Sequence, residues 1–198
     1  MKKVYIILIA TLSLILSGCA AESHASENTV IDDFFAAYIE QDYQTASSYI
    51  ADDSKESFIS LQTLVADEAL NTVVLKHMST MSYKVISSTL NEDTGTIQLR
   101  LIYPNAGGAF MNAIGTMYVD ASEGKLSNNA PEEVTSYINT LLESHLNAEL
   151  EAMDREKEIQ LVKENDQWRI VMTEELKNAL SANMMNAIAE LELMGVQF

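Results

Sequence analysis

The chain has 198 residues, with 29 acidic and 12 basic side chains and a formal net charge of −17. Such a surface lacks the basic patches that neutralise phosphates, so a nucleic-acid partner is not expected. The single cysteine excludes an intrachain disulfide. The length suits one domain of about 170 residues behind a short N-terminal segment, which is enough to bury a core.

The N-terminal segment has the layout of a secretory signal peptide. Lys2 and Lys3 precede an apolar run from Val4 to Leu16, and the small residues Ser17 and Gly18 follow it. A membrane-spanning helix needs about 20 predominantly apolar residues, so this run is too short to span a bilayer comfortably. The segment is therefore predicted to direct export rather than to remain as a transmembrane anchor.

Leu16-Ser17-Gly18-Cys19 contains the only cysteine and resembles the lipobox of bacterial lipoprotein precursors. The resemblance implies a diacylglyceryl group on the Cys19 thiol and cleavage between Gly18 and Cys19. Two acyl chains hold a protein stably on a bilayer, whereas one chain binds reversibly. Membrane lipid is thus the first expected partner, and the mature protein is predicted to face outward from the cell membrane.

The predicted domain organisation follows from this cleavage. Residues 1–18 are the signal peptide, residues 19–28 are a lipidated tether, and residues 29–198 form a single domain. Loss of Lys2 and Lys3 leaves 10 basic against 29 acidic residues, a net charge of −19. Charge will therefore not hold this protein on anionic lipid, and the acyl chains must provide the anchor.

The first part of the domain is predicted to be helical. Apolar residues recur at helical spacing from Val30 to Ile50, with an interruption at Asp42, and Asn28 or Thr29 is expected to cap this helix. A second helix is predicted over residues 54–76. Its expected buried face comprises Phe58, Leu61, Leu64, Val65, Ala69 and Val73.

Strands are predicted next. Residues 82–90 and 96–103 flank a turn at residues 91–95, and the second run alternates apolar and polar side chains. Residues 110–119 are predicted to form a third strand. The uncharged segment from Ala106 to Met117 fits either a buried strand with close backbone approach at its glycines, which is the favoured interpretation, or an exposed lip that accepts a partner.

The C-terminal third is predicted to contain two helices and a hairpin. Pro131 opens a helix that extends to Asp154, since proline is tolerated in the first turn. Residues 158–163 and 167–172 form a hairpin around residues 165–166. Thr173 caps a final helix over residues 174–194, which Gly195 ends.

Two segments resemble small bacterial lipoproteins of the nuclear-transport-factor-2-like, or cystatin-like, fold. They are the aromatic helix from Val30 to Tyr38, followed by Asp42 and Ala46, and the closing hairpin of residues 159–170 with its tryptophan. The resemblance implies an α+β fold: a curved antiparallel sheet packed on N-terminal helices as a cone, with an inserted helix and a C-terminal helix. The residues expected to line its cavity are Phe34, Tyr38, Asp42, Leu61, Tyr83 and Trp168.

Enzymes of this fold use an aspartate or an Asp–His pair in an apolar pocket, helped by tyrosine, so the resemblance also implies catalytic candidates. For each of them a structural role is favoured, because Asp42 ends a helix, His77 lies near a helix C-terminus and Trp168 suits a core. The candidates are Asp42, Tyr43, His77, Tyr83 and Trp168.

No motif fixes a Ser–His–Asp or Cys–His arrangement, and residues 91–95 do not match a calcium loop. We therefore expect no catalytic residue, metal or cofactor. The predicted function is that of a membrane-anchored, non-enzymatic binding or assembly module with a protein or peptide partner. The alternatives are a cavity enzyme of the same fold, isomerase-like or hydrolase-like, and an accessory ligand-binding protein of a cell-envelope system.

Overall fold

A computed structural model describes residues 27–64, 68–126 and 131–194, and the predicted leader and Cys19 lie outside these ranges. The described part has eight α-helices and one four-stranded antiparallel sheet that is not closed. The predicted α+β class, with helices packed against an antiparallel sheet, is confirmed. Its cystatin-like, cone-shaped form stays a prediction. None of the described helices combines the length and the apolarity that crossing a membrane requires.

Short connections join most of the elements in chain order, and 3-10 turns at Asp52–Ser54 and Ser60–Thr63 flank the third helix. The elements are α1 (Glu27–Ile39), α2 (Tyr43–Ser47), α3 (Lys55–Ile59), α4 (Glu68–Met78), β1 (Ser82–Leu90), β2 (Thr94–Pro104), α5 (Ala106–Ser122), α6 (Pro131–Leu146), β3 (Ala152–Glu164), β4 (Gln167–Ile170), α7 (Glu174–Leu180) and α8 (Met184–Leu193).

The sheet has the order β1-β2-β3-β4 and separates a buried face from a polar one. The predicted alternation of β2 is confirmed, since Ile97, Leu99, Leu101 and Tyr103 are all buried. Their neighbours on β2 point to the other face, because side chains alternate along a strand. β2 and β3 pair along the whole length of β2, from Thr94–Val162 to Pro104–Ala152 in register. The buried face of the sheet therefore packs against the helices.

The predicted N-terminal helices are each interrupted. Residues 30–50 form α1 and α2, separated at Gln41, whose positive φ of 61° breaks the helical path. Asn28 and Thr29 lie inside α1 rather than capping it, so the last residues of the predicted tether are helical. Residues 54–76 form α3, a 3-10 turn and α4, with Phe58 and Leu61 buried as predicted. Val65, on the same predicted face, lies outside the described residues.

The predicted third strand at residues 110–119 is wrong, because this segment is the middle of α5. The favoured interpretation of Ala106–Met117, a buried strand, is wrong for the same reason, whereas the alternative of a lip that accepts a partner stays a prediction. Asn105 caps the helix by accepting a hydrogen bond from the Gly108 N–H at 3.0 Å, a signal that the glycine content concealed. Buried residues then recur at helical spacing, at Ala106, Phe110, Ala113 and Ile114.

For the C-terminal third, the predicted types of element are correct, but several predicted ends are wrong. α6 ends at Leu146, and Asp154 lies in β3, which is longer than predicted because it pairs with all of β2. The turn at Asn165 and Asp166 is confirmed, with φ of 51° and 61°, as a tight hairpin requires. Thr173 caps a helix as predicted, accepting from the Leu176 N–H at 3.2 Å.

The predicted final helix is broken into α7 and α8, because Ala182 and Asn183 adopt positive φ of 51° and 66°. This break lies directly against the start of α5. The Gly107 N–H donates to the Ala182 carbonyl at 3.0 Å. Gly195, the predicted helix end, lies outside the described residues.

Three asparagines connect the two helical regions. Asn183 Nδ2 donates to Asn105 Oδ1 at 2.9 Å, and Asn178 Nδ2 donates to Asn183 Oδ1 at the same distance. Asn178 Oδ1 in turn accepts from the Asn186 N–H at 3.1 Å. The asparagine junction, defined as Asn105, Asn178 and Asn183, therefore fixes the start of α5 against the break between α7 and α8.

Gly107 provides a test of this close approach. A Cβ atom at Gly107 would lie 2.2 Å from the Asn183 carbonyl oxygen, a contact with backbone that no rotamer change relieves. We expect Gly107→Ala to lower the free energy of unfolding by about 2–3 kcal/mol, as overpacking does. Chemical denaturation measures this change.

Gly115 is the matched control in the same helix, since nothing lies within 4 Å of a Cβ at that position. Gly115→Ala should stabilise the protein by up to about 1 kcal/mol, because alanine is the better helix former. Equal effects of the two substitutions would contradict the tight contact at Gly107.

Candidate functional site

Four aromatic rings from α1, α2 and α3 form one cluster, made of Phe34, Tyr38, Tyr43 and Phe58. The ring centroids of Phe34 and Tyr38 lie 5.8 Å apart, and those of Tyr38 and Tyr43 lie 5.6 Å apart. Phe34, Tyr38 and Phe58 have no exposed surface. Phe34 and Tyr38, both predicted to line a cavity, are thus packed side by side in the core.

Tyr38 also has a polar role in the core. Its hydroxyl donates to the carbonyl oxygen of Leu180 at 2.7 Å, across 142 positions of the chain. The last carbonyls of an α-helix have no partner within the helix, and Leu180 ends α7. Burial, and then the neighbouring Tyr43, raises the pKa of Tyr38 well above its ordinary value. The hydroxyl is therefore held as a neutral donor that joins α1 to α7.

Tyr43 is the one unusual member of the cluster. Within the described part of the chain, its hydroxyl oxygen is buried and has no hydrogen-bond partner. Burial raises the pKa of Tyr43, so this hydroxyl is also neutral at ordinary pH. Tyr43 is a catalytic candidate from the sequence, but in the described part of the chain no acid or base is hydrogen-bonded to its hydroxyl.

Asp42 is exposed and caps α2. Its Oδ1 accepts from the Thr45 N–H at 3.0 Å, and hydrogen bonds from Thr45 lower the pKa of the carboxyl group. The interruption predicted at Asp42 is therefore present as an N-cap. A carboxylate with a lowered pKa is a weaker general base than an ordinary aspartate, because it holds a proton less readily.

Tyr83, on β1, lies apart from the four-ring cluster and reaches it through Phe35. The rings of Phe35 and Tyr83 stack with centroids 4.4 Å apart. The Tyr83 hydroxyl donates to Asp32 Oδ1 at 2.7 Å. Burial, followed by this bond to a carboxylate, raises the pKa of Tyr83 to about 12. The pair ties the first turns of α1 to the edge strand β1.

The remaining candidates have contacts with other parts of the core. Leu61 is 1% exposed and belongs to the main core, while Trp168 on β4 is half-buried and packs against it. His77 lies at the C-terminal end of α4, as predicted, and its Nε2–H donates to the Leu146 carbonyl at 2.5 Å. Since a carbonyl only accepts, this contact fixes which nitrogen carries the proton.

The structure thus brings together only part of the predicted cavity set. Phe34 and Tyr38 touch each other, whereas Tyr83 contacts Phe35 and Asp42 faces solvent. In the described ranges, no group of three or more His, Cys, Asp or Glu side chains is placed to hold a metal ion.

Two depressions on the surface have linings that exclude all six predicted residues. One, of about 460 Å³, lies along α6 at Glu132, Glu133, Ser136, Tyr137 and Thr140. The other, of about 370 Å³, lies at the end of the sheet and includes Thr89, Thr96 and Gln160. The sequence shows these three residues only as alternate polar positions of strands, so nothing in it indicated that they would meet.

No protein-family model and no curated protein matches the chain. Among solved structures, a SEC-C motif containing protein from Rhodopseudomonas palustris is 12% identical, with a TM-score of 0.40 over 76% of this chain and 78% of the other. A candidate lipoprotein of Bacillus subtilis, YcdA, is 13% identical, with a TM-score of 0.40 over 78% of this chain and 45% of its own. This chain therefore spans less than half of YcdA. Similarity of this degree assigns the chain to neither family.

Removal of the Tyr38 hydroxyl should destabilise the protein without changing ring packing. We expect Tyr38→Phe to lower the free energy of unfolding by about 1–2 kcal/mol, because the Leu180 carbonyl loses its donor. Urea denaturation measures it. Tyr118→Phe, at a site 51% exposed, is the control and should stay within about 0.5 kcal/mol of the parent. A Tyr38→Phe variant with the free energy of unfolding of the parent would show that this hydrogen bond does not stabilise the position of α7.

The raised pKa values of Tyr38 and Tyr83 predict a loss of stability in alkali. Below the unfolded-state pKa of 10.0 both states hold the tyrosine protons, and the stability is fully present. Above it, the unfolded chain releases protons that the native state keeps, so the free energy of unfolding falls as pH rises. For buried Tyr38 the slope is up to about 1.4 kcal/mol per pH unit.

Denaturation at a series of pH values from about 9 to about 11, with tyrosinate absorbance followed in parallel, tests this slope. Tyr38→Phe should reduce the slope. A free energy of unfolding that stays constant across this range would show that the tyrosines are not held neutral by the fold.

Proposed function

We propose that the protein is a lipid-anchored, outward-facing protein of the cell envelope, and that its folded domain is a non-enzymatic binding or assembly module. The observation that carries the proposal is Leu16-Ser17-Gly18-Cys19 at the end of a short apolar run that follows Lys2 and Lys3. This arrangement supplies an export signal and a thiol for acylation in one segment.

The anchor is also consistent with the composition. Cys19 is the only thiol, so an unpaired cysteine in an exported chain has an explanation. With a net charge of −17, the protein gains nothing from charge on an anionic bilayer. Acyl chains on Cys19 would then provide the whole of its membrane affinity.

The contacts of the catalytic candidates support a binding role over a cavity enzyme. Asp42 caps a helix from the surface, Tyr83 is bonded to Asp32, and His77 is bonded to a backbone carbonyl. The Tyr43 ring packs against Tyr38 and Phe58, and among the described residues its buried hydroxyl has no hydrogen-bond partner. An acid and a base aimed at one point would support the enzyme alternative, whereas these groups are distributed over separate contacts.

Cys19→Ala in the full chain tests the anchor. We expect the parent protein in the membrane fraction of lysed cells, carrying metabolically incorporated fatty acid, and the variant in the soluble fraction without it. Ser23→Ala, four positions along the predicted tether, is the matched control and should behave like the parent. Membrane retention of Cys19→Ala would refute lipidation.

Cells that express the parent, Cys19→Ala or Ser23→Ala also test the binding role. Cross-linking on intact cells should capture a discrete adduct with the parent and with Ser23→Ala, and lose it with Cys19→Ala, because only an anchored domain meets an envelope partner. Turnover of a small substrate by the purified domain, with no adduct captured, would favour the cavity-enzyme alternative.

A further inference from the structure

A groove of about 370 Å³ lies at one end of the sheet, on its outer face, where β1, β2 and β3 are adjacent. Its volume falls in the range of small-molecule sites, about 300–1,000 Å³. Its polar lining consists of Thr89, Asn91, Thr94, Thr96 and Gln160. We call this set of five side chains and the space beside it the threonine groove.

The polar side chains of the threonine groove have unused hydrogen-bonding groups. Among the described residues, none of the five has a side-chain partner. Helical threonines differ: the Thr72 and Thr140 hydroxyls each donate at 2.8 Å to the carbonyl four residues earlier. A strand offers no such carbonyl, so the hydroxyls and amides of the groove remain available to a ligand.

The lining is also neutral, in a chain whose net charge is −17. All nine residues that line the groove are uncharged, and Val162 and Val171 supply an apolar part. Arg169 on β4 stands opposite Val162, and its guanidinium donates to Gln167 Oε1 at 2.5 Å. Neutral donors and acceptors beside methyl groups fit an uncharged ligand with many hydroxyls.

The position on the sheet face further limits the ligand class. Thr89 pairs with Thr96, and Thr96 pairs with Gln160, so the three side chains stand in one row across three strands. Adjacent strands lie about 4.8 Å apart, which is roughly the length of one sugar ring. The backbone groups between these strands are occupied by the sheet, so an extended peptide could not add main-chain hydrogen bonds to this row.

We propose that the threonine groove binds a neutral saccharide segment through the row of Thr89, Thr96 and Gln160. This inference rests on the proposed binding role and names its ligand class. The groove is open and its lining holds no aromatic ring, so the affinity is weak, with a dissociation constant on the order of 1 mM.

The test uses the full chain extracted from membranes in a polyoxyethylene detergent, which has no sugar headgroup. Saturation-transfer NMR with chitotetraose and cellotetraose as probes should show transfer to at least one tetrasaccharide above a detergent-only control. Thr89→Val and Thr96→Val replace a hydroxyl by a methyl group of the same shape. Each should weaken binding about threefold to tenfold, the value of one neutral hydrogen bond.

Thr72→Val is the control, because Thr72 is an exposed threonine on α4 and does not line the groove. It should bind like the parent, and circular dichroism confirms that all three variants are folded. Absence of transfer from both tetrasaccharides, or transfer that both groove variants leave unchanged, overturns the inference. Stronger transfer from N-acetylated tetra-alanine than from either sugar would overturn it in favour of a peptide site.

The two proposals fail separately. Saccharide binding that depends on Thr89 and Thr96 stands even if Cys19→Ala stays in the membrane, which would refute only the anchor. Conversely, the anchor could be supported by a soluble Cys19→Ala variant while the parent protein shows no saccharide transfer. That result would refute saccharide binding at the groove and leave the anchor intact.

Discussion

The start of α5 lies so close to the break between α7 and α8 that only glycine fits at position 107. The Gly107 N–H bonds to the Ala182 carbonyl, and the asparagine junction of Asn105, Asn178 and Asn183 surrounds this contact. A buried or half-buried amide that lost its partner would cost about 1–3 kcal/mol, so the members of such a network stabilise each other. The positions of α5 and of the consecutive helices α7 and α8, which are distant from α5 in the chain, depend on this one approach.

The rest of the core is arranged around the same helices. Tyr38 bonds to the end of α7, so α1 is tied to the segment that contacts α5. The aromatic cluster then covers one side of α1, and the buried side chains of β2 meet the helices from the sheet. Because the Tyr38 hydroxyl and the amides of the asparagine junction are paired, the helices that they join have few alternative positions.

This packing explains why residues with catalytic potential take structural roles. A tyrosine hydroxyl that satisfies a helix end, or an aspartate that caps one, is held by bonds the fold needs. By contrast, the outer face of the sheet carries polar side chains, and among the described residues the Thr89, Thr94 and Thr96 hydroxyls there have no internal hydrogen bond. Neither of the two surface depressions described above is lined by the aromatic cluster.

Some elements of this fold can be predicted from the sequence and others cannot, and the physical reasons differ from one element to the next. Thr173 as a cap, the turn at Asn165 and Asp166, and the alternation of β2 were predictable, because each depends on side chains within a few positions. The identity of α5 was not, because its glycines disfavour a helix locally, whereas the Asn105 cap and the packing of Gly107 against Asn183 stabilise one. The candidate cavity residues were placed by resemblance, and the structure separates Asp42 and Tyr83 from the aromatic cluster.

By itself, the sequence determined the strong acidity, the α+β class and the local caps and turns, and it contains a segment at Leu16–Cys19 that resembles a lipobox. Tertiary structure decided where helices break, since Ala182 and Asn183 adopt positive φ against α5. It also decided that Thr89, Thr96 and Gln160 stand in one row, because strand register is a property of three paired segments. Local patterns encode propensity, but only long-range pairing brings distant side chains to a common surface.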